Sequence, residues 1–370
     1  MKFKCKLEEL DTPALLVDLD VMEKNLLWGQ QKANSAGVKL RPHIKTHRTP
    51  ALAKKQVELG AKGITVAKLG EAEVMAWEDI DDIFIANEIV GKIKIERLRK
   101  LNRQIRLATG IDSPVQAKAL SEKFSIEDKP IEVLIDVDTG DARTGIQPDQ
   151  SVLELANLII KLPGLKLRGI FTHDGHSYGA RDIFEVKQIF KKSQEEMLQT
   201  ANILRLSGIQ VEEISVGSTP SFLVADILPG ITEVRPGTYI FLDAAQGNLL
   251  RSYERCALTV LTTITNRPTP HRVVIDAGTK ALSAFVRGMG VCQTRGFGLL
   301  KEEPTIYLES LSDEHGVFIA VSECEYPIGD KLEIIPNHAC PTCNLYDYLY
   351  GVRDCMVVNK WPVTARGKPQ

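Results

Sequence analysis

The chain has 370 residues, of which 44% are hydrophobic and 25% are charged, a size that can bury a large core and predicts two domains. The net charge of −2 gives no electrostatic reason to expect nucleic acid or an anionic membrane as a partner. Membrane-spanning and secretory runs are missing from the sequence, and the seven cysteines fit reduced thiols, so we expect a cytoplasmic protein.

Eight short apolar runs alternate with amphipathic helical segments in the first two thirds of the chain. Such alternation predicts parallel βα units, and eight of them over about 200 residues favour a (β/α)8 TIM-type barrel. An open doubly wound sheet is the alternative. The runs are VKLRPHIK, GITVAK, DDIFIA, IRLATG, PIEVLIDV, LKLRGIFTH, EEISVGST and TEVRPGTYIF.

The pattern changes near residue 250, where short runs are separated by Gly, Pro and Asn with few helical periods. This predicts a mostly β C-terminal domain over residues 246–370, after a barrel over residues 11–245. An earlier run, ALLVDLD, is expected to pair with the later domain, so that residues 1–20 join the two. The later runs are ALTVLTTITN, HRVVIDAG, VFIAVS, KLEIIP and DCMVVNKWPV.

The segment LRPHIKTH, residues 40–47, ends the first barrel strand. Read with the period of a strand, it carries four basic side chains on one face: Arg41, His43, Lys45 and His47. Such a face predicts a local anionic ligand. The neighbouring basic groups would lower the pKa of Lys45 and make its free amine a nucleophile near neutral pH. An ion-paired strand lysine is the alternative.

Polar motifs also follow the later barrel strands, at the end where barrel enzymes have their active sites. They are DVDTGDARTG, THDGHSYG, VGSTPS and RPGT. Phosphate sites in barrels often lie after strands seven and eight, and a phosphate needs open backbone amides and hydroxyl donors. The last two motifs supply these at Gly217, Ser218, Thr219, Gly237 and Thr238.

The motif PNHACPTCN, residues 336–344, predicts a metal site. His338 and Cys340 are two apart, so on an extended chain they share one face, and imidazole with thiolate suits Zn²⁺, with Mg²⁺ or Mn²⁺ as alternatives. Three other interpretations stay open: a redox pair of Cys340 and Cys343, a structural zinc, and simple buried cysteines. A redox pair wants a helix start in a small βαβ domain, and a structural zinc wants four ligands.

Seven segments, taken in order, resemble the D-threonine aldolase and D-serine dehydratase family of pyridoxal 5'-phosphate (PLP) enzymes. The resemblance spans residues 10–367 and implies an alanine racemase-like fold, a small D-amino acid substrate, and a homodimer with the active site near its interface. The segments are RPHIKTH, AKLGEAE, DVDTGDARTG, FTHDGHSYG, VGSTPS, EVRPGT and PNHACPTCNLYD.

The resemblance also implies roles for individual residues. Lys45 would bind PLP covalently, Arg143 would meet its phenolic oxygen or ring, and Arg235 would face the pyridine nitrogen. The phosphate would be held by Gly217, Ser218, Thr219, Gly237 and Thr238. The substrate side would be lined by His173, His176 and Tyr178, and the metal would be bound by His338 and Cys340. The predicted catalytic residues are His173, His176 and Tyr178 together with Lys45 and His43.

Members of the family with His-x-Cys resemble the zinc-type dehydratases, whereas the aldolases tend to carry Asp in place of this Cys. The presence of Cys340 therefore favours dehydration of D-serine or D-threonine to a 2-oxo acid and ammonia. A D-threonine aldolase, which cleaves its substrate to glycine and an aldehyde, is the alternative. An amino acid racemase and a PLP-binding protein without a reaction are further alternatives, and neither would need the metal motif.

Overall fold

The structure is a computed structural model that describes residues 5–320 and 326–370. Two parts of the sequence predictions lie outside the described residues. Residues 1–4 belong to the segment expected to join the domains, and residues 321–325 include the end of the predicted run VFIAVS. Within the described part of the chain, no helix combines the length and apolar character needed to cross a bilayer.

The described chain begins with two strands, β1 (Cys5–Lys6) and β2 (Ala14–Asp18), that do not join the barrel. Strand β2 is almost fully buried, as expected for the apolar run ALLVD. Helix α1 (Leu19–Ser35) follows at once because the Asp18 carboxylate caps it, accepting a hydrogen bond from the backbone N–H of Val21 at 3.0 Å.

Eight parallel strands then form a barrel, in the order β3-β10-β9-β8-β7-β6-β5-β4. A parallel bridge between His43 and Thr65 joins the two ends of this order, so the predicted TIM-type barrel is confirmed. The strands are β3 (Lys39–Leu40), β4 (Ile64–Val66), β5 (Asp82–Glu88), β6 (Arg106–Ile111), β7 (Ile131–Asp136), β8 (Leu165–Phe171), β9 (Glu213–Val216) and β10 (Glu233–Val234). The helices after α1 are α2 (Pro50–Glu58), α3 (Leu69–Trp77), α4 (Lys92–Asn102), α5 (Pro114–Phe124), α6 (Gln150–Ile159), α7 (Ile183–Leu206), α8 (Thr219–Val224) and α9 (Ala244–Leu250).

The first and last barrel strands are much shorter than predicted. Strand β3 ends before Pro42 and strand β10 ends before Pro236, because proline lacks the N–H that a sheet ladder needs. A 3-10 turn at Ile44–Thr46 follows the first proline, and a second turn at Thr238–Ile240 follows the other. Both predicted site segments therefore lie on turns above the barrel.

The prediction of one basic face on LRPHIKTH is consequently wrong. The Arg41 side chain is buried and makes ion pairs with Asp82 at 2.5 Å and Glu233 at 2.7 Å. His47 is also buried, and its Nε2 lies 3.2 Å from the side-chain oxygen of Gln56. Neither residue is among the groups that lower the pKa of Lys45, contrary to the prediction.

The second domain is a mostly β structure built on a ten-stranded sheet, as predicted. Its elements are β11 (Leu258–Asn266), β12 (Arg272–Ile275), α10 (Thr279–Leu282), β13 (Leu299–Leu300), β14 (Ser310–Leu311), β15 (Gly316–Ile319), β16 (Lys331–Ile335), α11 (Ala339–Cys343), β17 (Tyr348–Arg353) and β18 (Met356–Pro362). The strand order in the sheet is β1-β18-β17-β2-β11-β12-β15-β14, and β16 pairs with β11 and β13.

Strand β2 ties the start of the chain to this second sheet. It pairs antiparallel with β11 and parallel with β17. Its buried residues Leu15 and Val17 belong to the same hydrophobic core as Leu258 of the second domain and Ile64 of the barrel. The two parts thus share one core, and the limit between residues 245 and 246 stays a prediction.

Candidate active site

A cavity of about 550 Å³ opens where the carboxyl ends of the barrel strands meet the second domain. Its volume falls in the usual range for small-molecule sites. Thirteen of the fourteen predicted site residues line it. They are His43, Lys45, Arg143, His173, Tyr178, Gly217, Ser218, Thr219, Arg235, Gly237, Thr238, His338 and Cys340.

His176 is the predicted site residue that does not line the cavity. Its ring lies beside Gly140, where a Cβ would come within 3.2 Å of the His176 Nε2 atom. The Nδ1 atom is buried and has no hydrogen-bond partner among the described residues. The structure therefore gives His176 a position behind the wall formed by the segment after β7.

Lys45 sits in the turn at Ile44–Thr46, and its side chain points into the cavity. The amino group makes no hydrogen bond or ion pair within the described part of the chain, which is unusual for a lysine in an enclosed site. Burial is the main cause that lowers the pKa of Lys45, and the charges of Arg143 and Arg235 lower it further. The amine is therefore more readily available in its uncharged, nucleophilic form.

Two histidines beside Lys45 are held neutral. Burial lowers the pKa of His43 well below its usual value, and the charge of Lys45 lowers it further. The same two causes act in the same order on His173. Neutral imidazoles can accept a proton or a hydrogen bond in the cavity without adding positive charge.

The glycine and hydroxyl residues after β9 and β10 meet in one corner of the cavity. Gly217 has a φ of +109°, which favours glycine at this turn. The Thr219 Oγ1 atom accepts hydrogen bonds from the backbone N–H groups of Gly237 at 3.2 Å and Thr238 at 3.1 Å. A Cβ at Gly237 would lie 3.0 Å from the Thr46 hydroxyl, so glycine keeps this corner open.

Asp174 supports the same corner from behind, and the sequence analysis did not single it out. Its buried carboxylate accepts hydrogen bonds from the hydroxyls of Ser218, at 3.1 Å, and Ser221. Burial raises the pKa of Asp174, although these hydroxyls act in the opposite direction. The carboxylate fixes the orientation of the Ser218 hydroxyl, which lines the cavity.

Arg235 forms the floor of the cavity in a fixed position. Its guanidinium donates to the Ser215 hydroxyl at 2.5 Å and to the Thr172 carbonyl at 2.6 Å. The same group lies 5.1 Å from the ring centre of Phe171 and 5.7 Å from that of Phe84. These contacts hold the planar group at the bottom of the cavity.

Arg143 differs because it lies at the rim of the cavity, where its side chain is 56% exposed. Its Nε atom is 3.7 Å from the Asp141 carboxylate, which also lines the cavity. The loop that carries it is held by Asp138, whose carboxylate accepts from the N–H groups of Gly140 and Ala142. The loop is thus fixed while the guanidinium can still turn toward a ligand.

His338 and Cys340 lie together on the second-domain wall. The sequence predicted an extended segment here, but the segment is helical. Cys340 belongs to the short helix α11, and His338 is the residue before its first turn. Their side chains are close enough for each to shift the pKa of the other. The His338 Nδ1 atom lies 3.1 Å from the Asp243 carboxylate, which leaves Nε2 free for another partner.

These contacts shift both pKa values. Burial lowers the pKa of His338, but Cys340 and Asp243 more than offset this and raise it to about 9. Burial raises the pKa of the Cys340 thiol, but His338 opposes this and brings it to about 7. Among the described residues, no set of three or more His, Cys, Asp or Glu side chains surrounds a metal position.

The turn that carries Lys45 contacts helix α11 directly. The Thr46 hydroxyl lies 3.4 Å from the Cys340 sulfur. Arg48 donates to the Asn344 side chain at 2.5 Å and pairs with Glu71 at 3.3 Å. The two most specific motifs of the sequence, RPHIKTH and NHACPTCNL, therefore build one continuous wall.

The cysteines in the described residues are all free, so no disulfide joins Cys340 to Cys343 there. Cys343 is buried, and burial raises its pKa well above the usual value. Helix α11 does begin at this CxxC, contrary to the predicted loop, but it follows β16 of a mostly antiparallel sheet. The small βαβ domain that a redox pair wants is not the setting of this motif.

Two family models together match most of the chain. The model described as "Alanine racemase, N-terminal domain" matches residues 17–245, and the one described as "Putative serine dehydratase domain" matches residues 257–352. The D-threonine aldolase of Arthrobacter sp is 34% identical over 367 residues, which are 98% of this chain and 94% of that protein. This chain belongs to the D-threonine aldolase and D-serine dehydratase family. The predicted family, its alanine racemase-like fold and the lyase class are confirmed.

Other members of the family are similar to this chain in sequence and in structure. The D-threo-3-hydroxyaspartate dehydratase of Delftia sp. (strain HT23) is 33% identical over 351 residues, 90% of this chain and 92% of that protein. The crystal structure of D-threonine aldolase from Filomicrobium marinum matches with a TM-score of 0.91 at 32% identity, covering 100% of this chain and 98% of that one.

Two variant structures of a D-threo-3-hydroxyaspartate dehydratase match with a TM-score of 0.89 at 30% identity, covering 97% of this chain and 98% and 96% of theirs. One carries a cysteine-to-alanine substitution in a metal-free form, and the other carries a histidine-to-alanine substitution. The two substituted positions are two residues apart in that protein, the spacing of His338 and Cys340 here.

Beyond the family's motifs, the cavity is lined by several residues that the sequence analysis missed, among them Asn87, Glu88 and Arg287. The Glu88 and Asp136 carboxyls, at the ends of β5 and β7, are close enough to influence each other. Burial and the charge of Glu88 raise the pKa of Asp136 to about 7. Their position at strand ends was the available signal, but only the structure brings them together.

Proposed function

We propose that the cavity binds PLP and one divalent metal, most readily Zn²⁺, and that the protein dehydrates a D-3-hydroxy amino acid such as D-serine or D-threonine. The observation that carries this proposal is the contact between the Lys45 turn and the His338–Cys340 pair. This contact holds the Lys45 amine and the His338–Cys340 pair on one wall of a cavity of about 550 Å³.

The residues present fit PLP. Lys45 has no partner for its amino group among the described residues, and its lowered pKa favours the reactive amine. The corner at Gly217 and Gly237 offers open backbone and hydroxyl groups to a phosphate. Arg143 at the rim and Arg235 on the floor offer positive charge to the rest of the ring system.

The residues present also fit a metal. His338 would bind it through Nε2, because Asp243 holds the other ring nitrogen, and this arrangement is typical of histidines that bind metals. Cys340 would bind it as the thiolate, which its pKa near 7 makes accessible. Two protein ligands leave positions for water and for a substrate hydroxyl. The metal-free cysteine-to-alanine variant of a dehydratase relative supports this assignment.

When bound, PLP withdraws electrons from the bonds at the substrate's Cα, and the metal polarises the β-hydroxyl. Lys45 is the group that takes the α-proton, because burial lowers the pKa of its amine. His43 and His173, neutral for the same reason, orient the substrate without repelling it. Removal of the α-proton and of the β-hydroxide, followed by hydrolysis of the C–N bond, yields the 2-oxo acid and ammonia.

Aldol cleavage is the second candidate, and the similarity to aldolases from Arthrobacter sp and Filomicrobium marinum favours it. In that reaction a base takes the hydroxyl proton, and the Cα–Cβ bond breaks to give glycine and an aldehyde. The same wall serves both reactions. We favour dehydration because Cys340 stands where aldolases of the family tend to carry Asp.

The test is to incubate the purified protein with PLP, Zn²⁺ and D-threonine and to identify the products. Formation of 2-oxobutanoate and ammonia supports the dehydratase, whereas glycine and acetaldehyde would replace it by the aldolase. A chelator should abolish either activity, and Zn²⁺ should restore it. The Cys340→Ser variant should lose bound metal, while Cys355→Ser, at an exposed cysteine, should retain it.

We also keep three predictions from the sequence as part of this proposal: a homodimer with the active site near its interface, a cytoplasmic location, and a small D-amino acid as the substrate. Light scattering of the purified protein tests the first of these. The family's relatives act on D-threonine and D-3-hydroxyaspartate by their names, which supports the substrate class.

A further inference from the structure

We propose that Arg287 binds a carboxylate of the substrate on the metal side of the cavity. This inference rests on the proposed function and names the residue that recognises the substrate's charge. Arg287 lines the cavity from the second domain, in the segment between α10 and β13. No motif of the sequence pointed to it.

The backbone of Arg287 is fixed in place. Its N–H donates to the Thr294 hydroxyl at 2.9 Å, and its carbonyl accepts from the Thr294 N–H at 3.1 Å. Thr294 is buried. These two hydrogen bonds close the loop and set the direction from which the side chain enters the cavity.

Aromatic rings fix the side chain itself. The guanidinium carbon lies 3.9 Å from the ring centre of Tyr178 and 5.2 Å from that of Phe285. The Phe285 ring in turn lies 5.0 Å from the His338 ring. Arg287 is therefore presented as a flat, oriented group on the same side of the cavity as His338.

The Arg287 guanidinium has no hydrogen-bond acceptor or carboxylate partner among the described residues. Its Nε atom is buried and has no hydrogen-bond acceptor, and no carboxylate pairs with it anywhere in residues 5–320 or 326–370. The other two cavity arginines do have partners, since Arg143 lies near Asp141 and Arg235 donates to Ser215. A buried donor without an acceptor is costly, and a carboxylate is the anion that matches a guanidinium in shape.

A 3-hydroxy amino acid always carries an α-carboxylate, and 3-hydroxyaspartate carries a second one at Cβ. Either the α-carboxylate or the β-carboxylate could therefore be the group that binds Arg287. A pair of substrate analogues without the hydroxyl separates them: D-alanine has only the α-carboxylate, and D-aspartate has both. Their binding can be followed by the change in visible absorption of the PLP-loaded, Zn²⁺-loaded protein, independently of turnover.

The test compares the wild type with Arg287→Gln and with the control Arg295→Gln. Arg295 lies on the same segment and stacks on Tyr307 at 4.3 Å, but it is exposed and outside the cavity. We expect Arg287→Gln to weaken binding by about 10- to 100-fold, the usual loss for a charged hydrogen bond. The control should bind like the wild type.

The pattern across ligands identifies the carboxylate. Weaker binding of both analogues assigns Arg287 to the α-carboxylate, and weaker binding of D-aspartate alone assigns it to the β-carboxylate and to dicarboxylic substrates. Unchanged dissociation constants for both would overturn the proposal. Arg287→Lys, which keeps the charge but loses the planar fork, provides a second variant and should bind with intermediate affinity.

Turnover separates this inference from the proposed function. If the wild type converts neither D-threonine nor D-3-hydroxyaspartate, the proposed function fails while the titrations still measure the role of Arg287. If both are converted, the KM of Arg287→Gln should rise for the same substrates whose analogues bind more weakly, and the unchanged visible spectrum shows that the variant is folded and loaded.

Discussion

Buried charged side chains have different partners at the two ends of the barrel. At the amino ends of the strands, Arg41 pairs with Asp82 and Glu233, and Arg168 pairs with Glu213 at 2.7 Å. At the carboxyl ends, Lys45 has no carboxylate partner among the described residues, and neither does Arg287 of the second domain, which lines the same cavity. The paired end is complete without a ligand, whereas the open end needs an anion to complete it.

Carboxyl groups show the same contrast. Burial opposes ionisation of Glu233, but its two arginine neighbours lower its pKa below the usual value. Burial and Glu88 raise the pKa of Asp136, at the open end, to about 7. Buried carboxyl groups of one barrel thus have pKa values shifted in opposite directions, because their neighbours differ. Substitutions at each end of the barrel test this difference.

The largest effect is expected from Lys45→Ala at the open end. Activity should fall by at least ~10²–10⁴-fold because the group proposed to transfer the proton is gone. The visible absorption of bound PLP should also disappear. Lys39→Ala, an exposed lysine in β3, is the matched control and should keep both. Retention of the visible absorption in Lys45→Ala would show that another group binds the cofactor.

At the paired end, Arg41→Met should destabilise the protein without changing the cavity. Removing Arg41 leaves the buried Glu233 carboxylate without its ion-pair partner, which costs about 3–5 kcal/mol in the free energy of unfolding. Arg106→Met is the control, because Arg106 pairs with the same Asp82 from a 43% exposed position. That loss should be about 0–1 kcal/mol. Equal losses, measured by urea unfolding, would contradict the contrast between buried and exposed pairs.

Asp243→Asn should weaken metal binding while leaving the PLP spectrum intact. Asp243 holds the His338 ring, and loss of such a partner typically costs ~10–100-fold in metal affinity. The measurement is competition for Zn²⁺ with a coloured chelator. Because Asp243 also caps α9, the control is Asp182→Asn, which makes the same change at the N-cap of α7, outside the cavity lining. Equal Zn²⁺ affinity in both variants would rule out the orienting role.

The smallest effect is expected from Asp136→Asn, and it depends on pH. Below about pH 4 the folded and unfolded chains both hold the Asp136 proton, but between pH 4 and 7 only the folded chain retains it. Ionisation therefore favours the unfolded chain as the pH rises. Between pH 5 and pH 7, the free energy of unfolding of the variant should therefore rise by about 1–2 kcal/mol relative to that of the wild type.

Asp138→Asn should change the pH dependence of stability in the opposite direction to Asp136→Asn. Backbone and side-chain hydrogen bonds lower the pKa of Asp138 despite its desolvation, so its contribution to stability is present above its unfolded pKa and is lost as the pH falls. This variant should lose stability relative to the wild type at pH 7. The same pH trend in both variants would show that the raised pKa of Asp136 is not what the unfolding experiment detects.

Most of the fold could be predicted because it depends on local patterns. The period of the apolar residues located all eight barrel strands and the change to a β domain near residue 250. What failed was the length of β3 and β10, since Pro42 and Pro236 end the ladders early. Proline could have given this warning, because it cannot donate a hydrogen bond to a neighbouring strand.

The site could be predicted only where a motif carries it. The segments after β3, β9 and β10, with His338 and Cys340, were found because their residue types are unusual at those positions. Asp243 and Arg287 were missed because their roles come from partners distant in sequence. Arg41 was misassigned for the same reason, since the sequence cannot distinguish an arginine that meets carboxylates from one that meets a ligand.

Strand β2 has a consequence for how the chain is made. It lies between β11 and β17, so one of its edges stays uncovered until Tyr348–Arg353 has been synthesised. The barrel strands all precede β17 in the chain, so the barrel can form before the second sheet closes over β2. A chain that stops before Tyr348 would leave β2 with an open edge, the kind of edge that recruits other chains into aggregates.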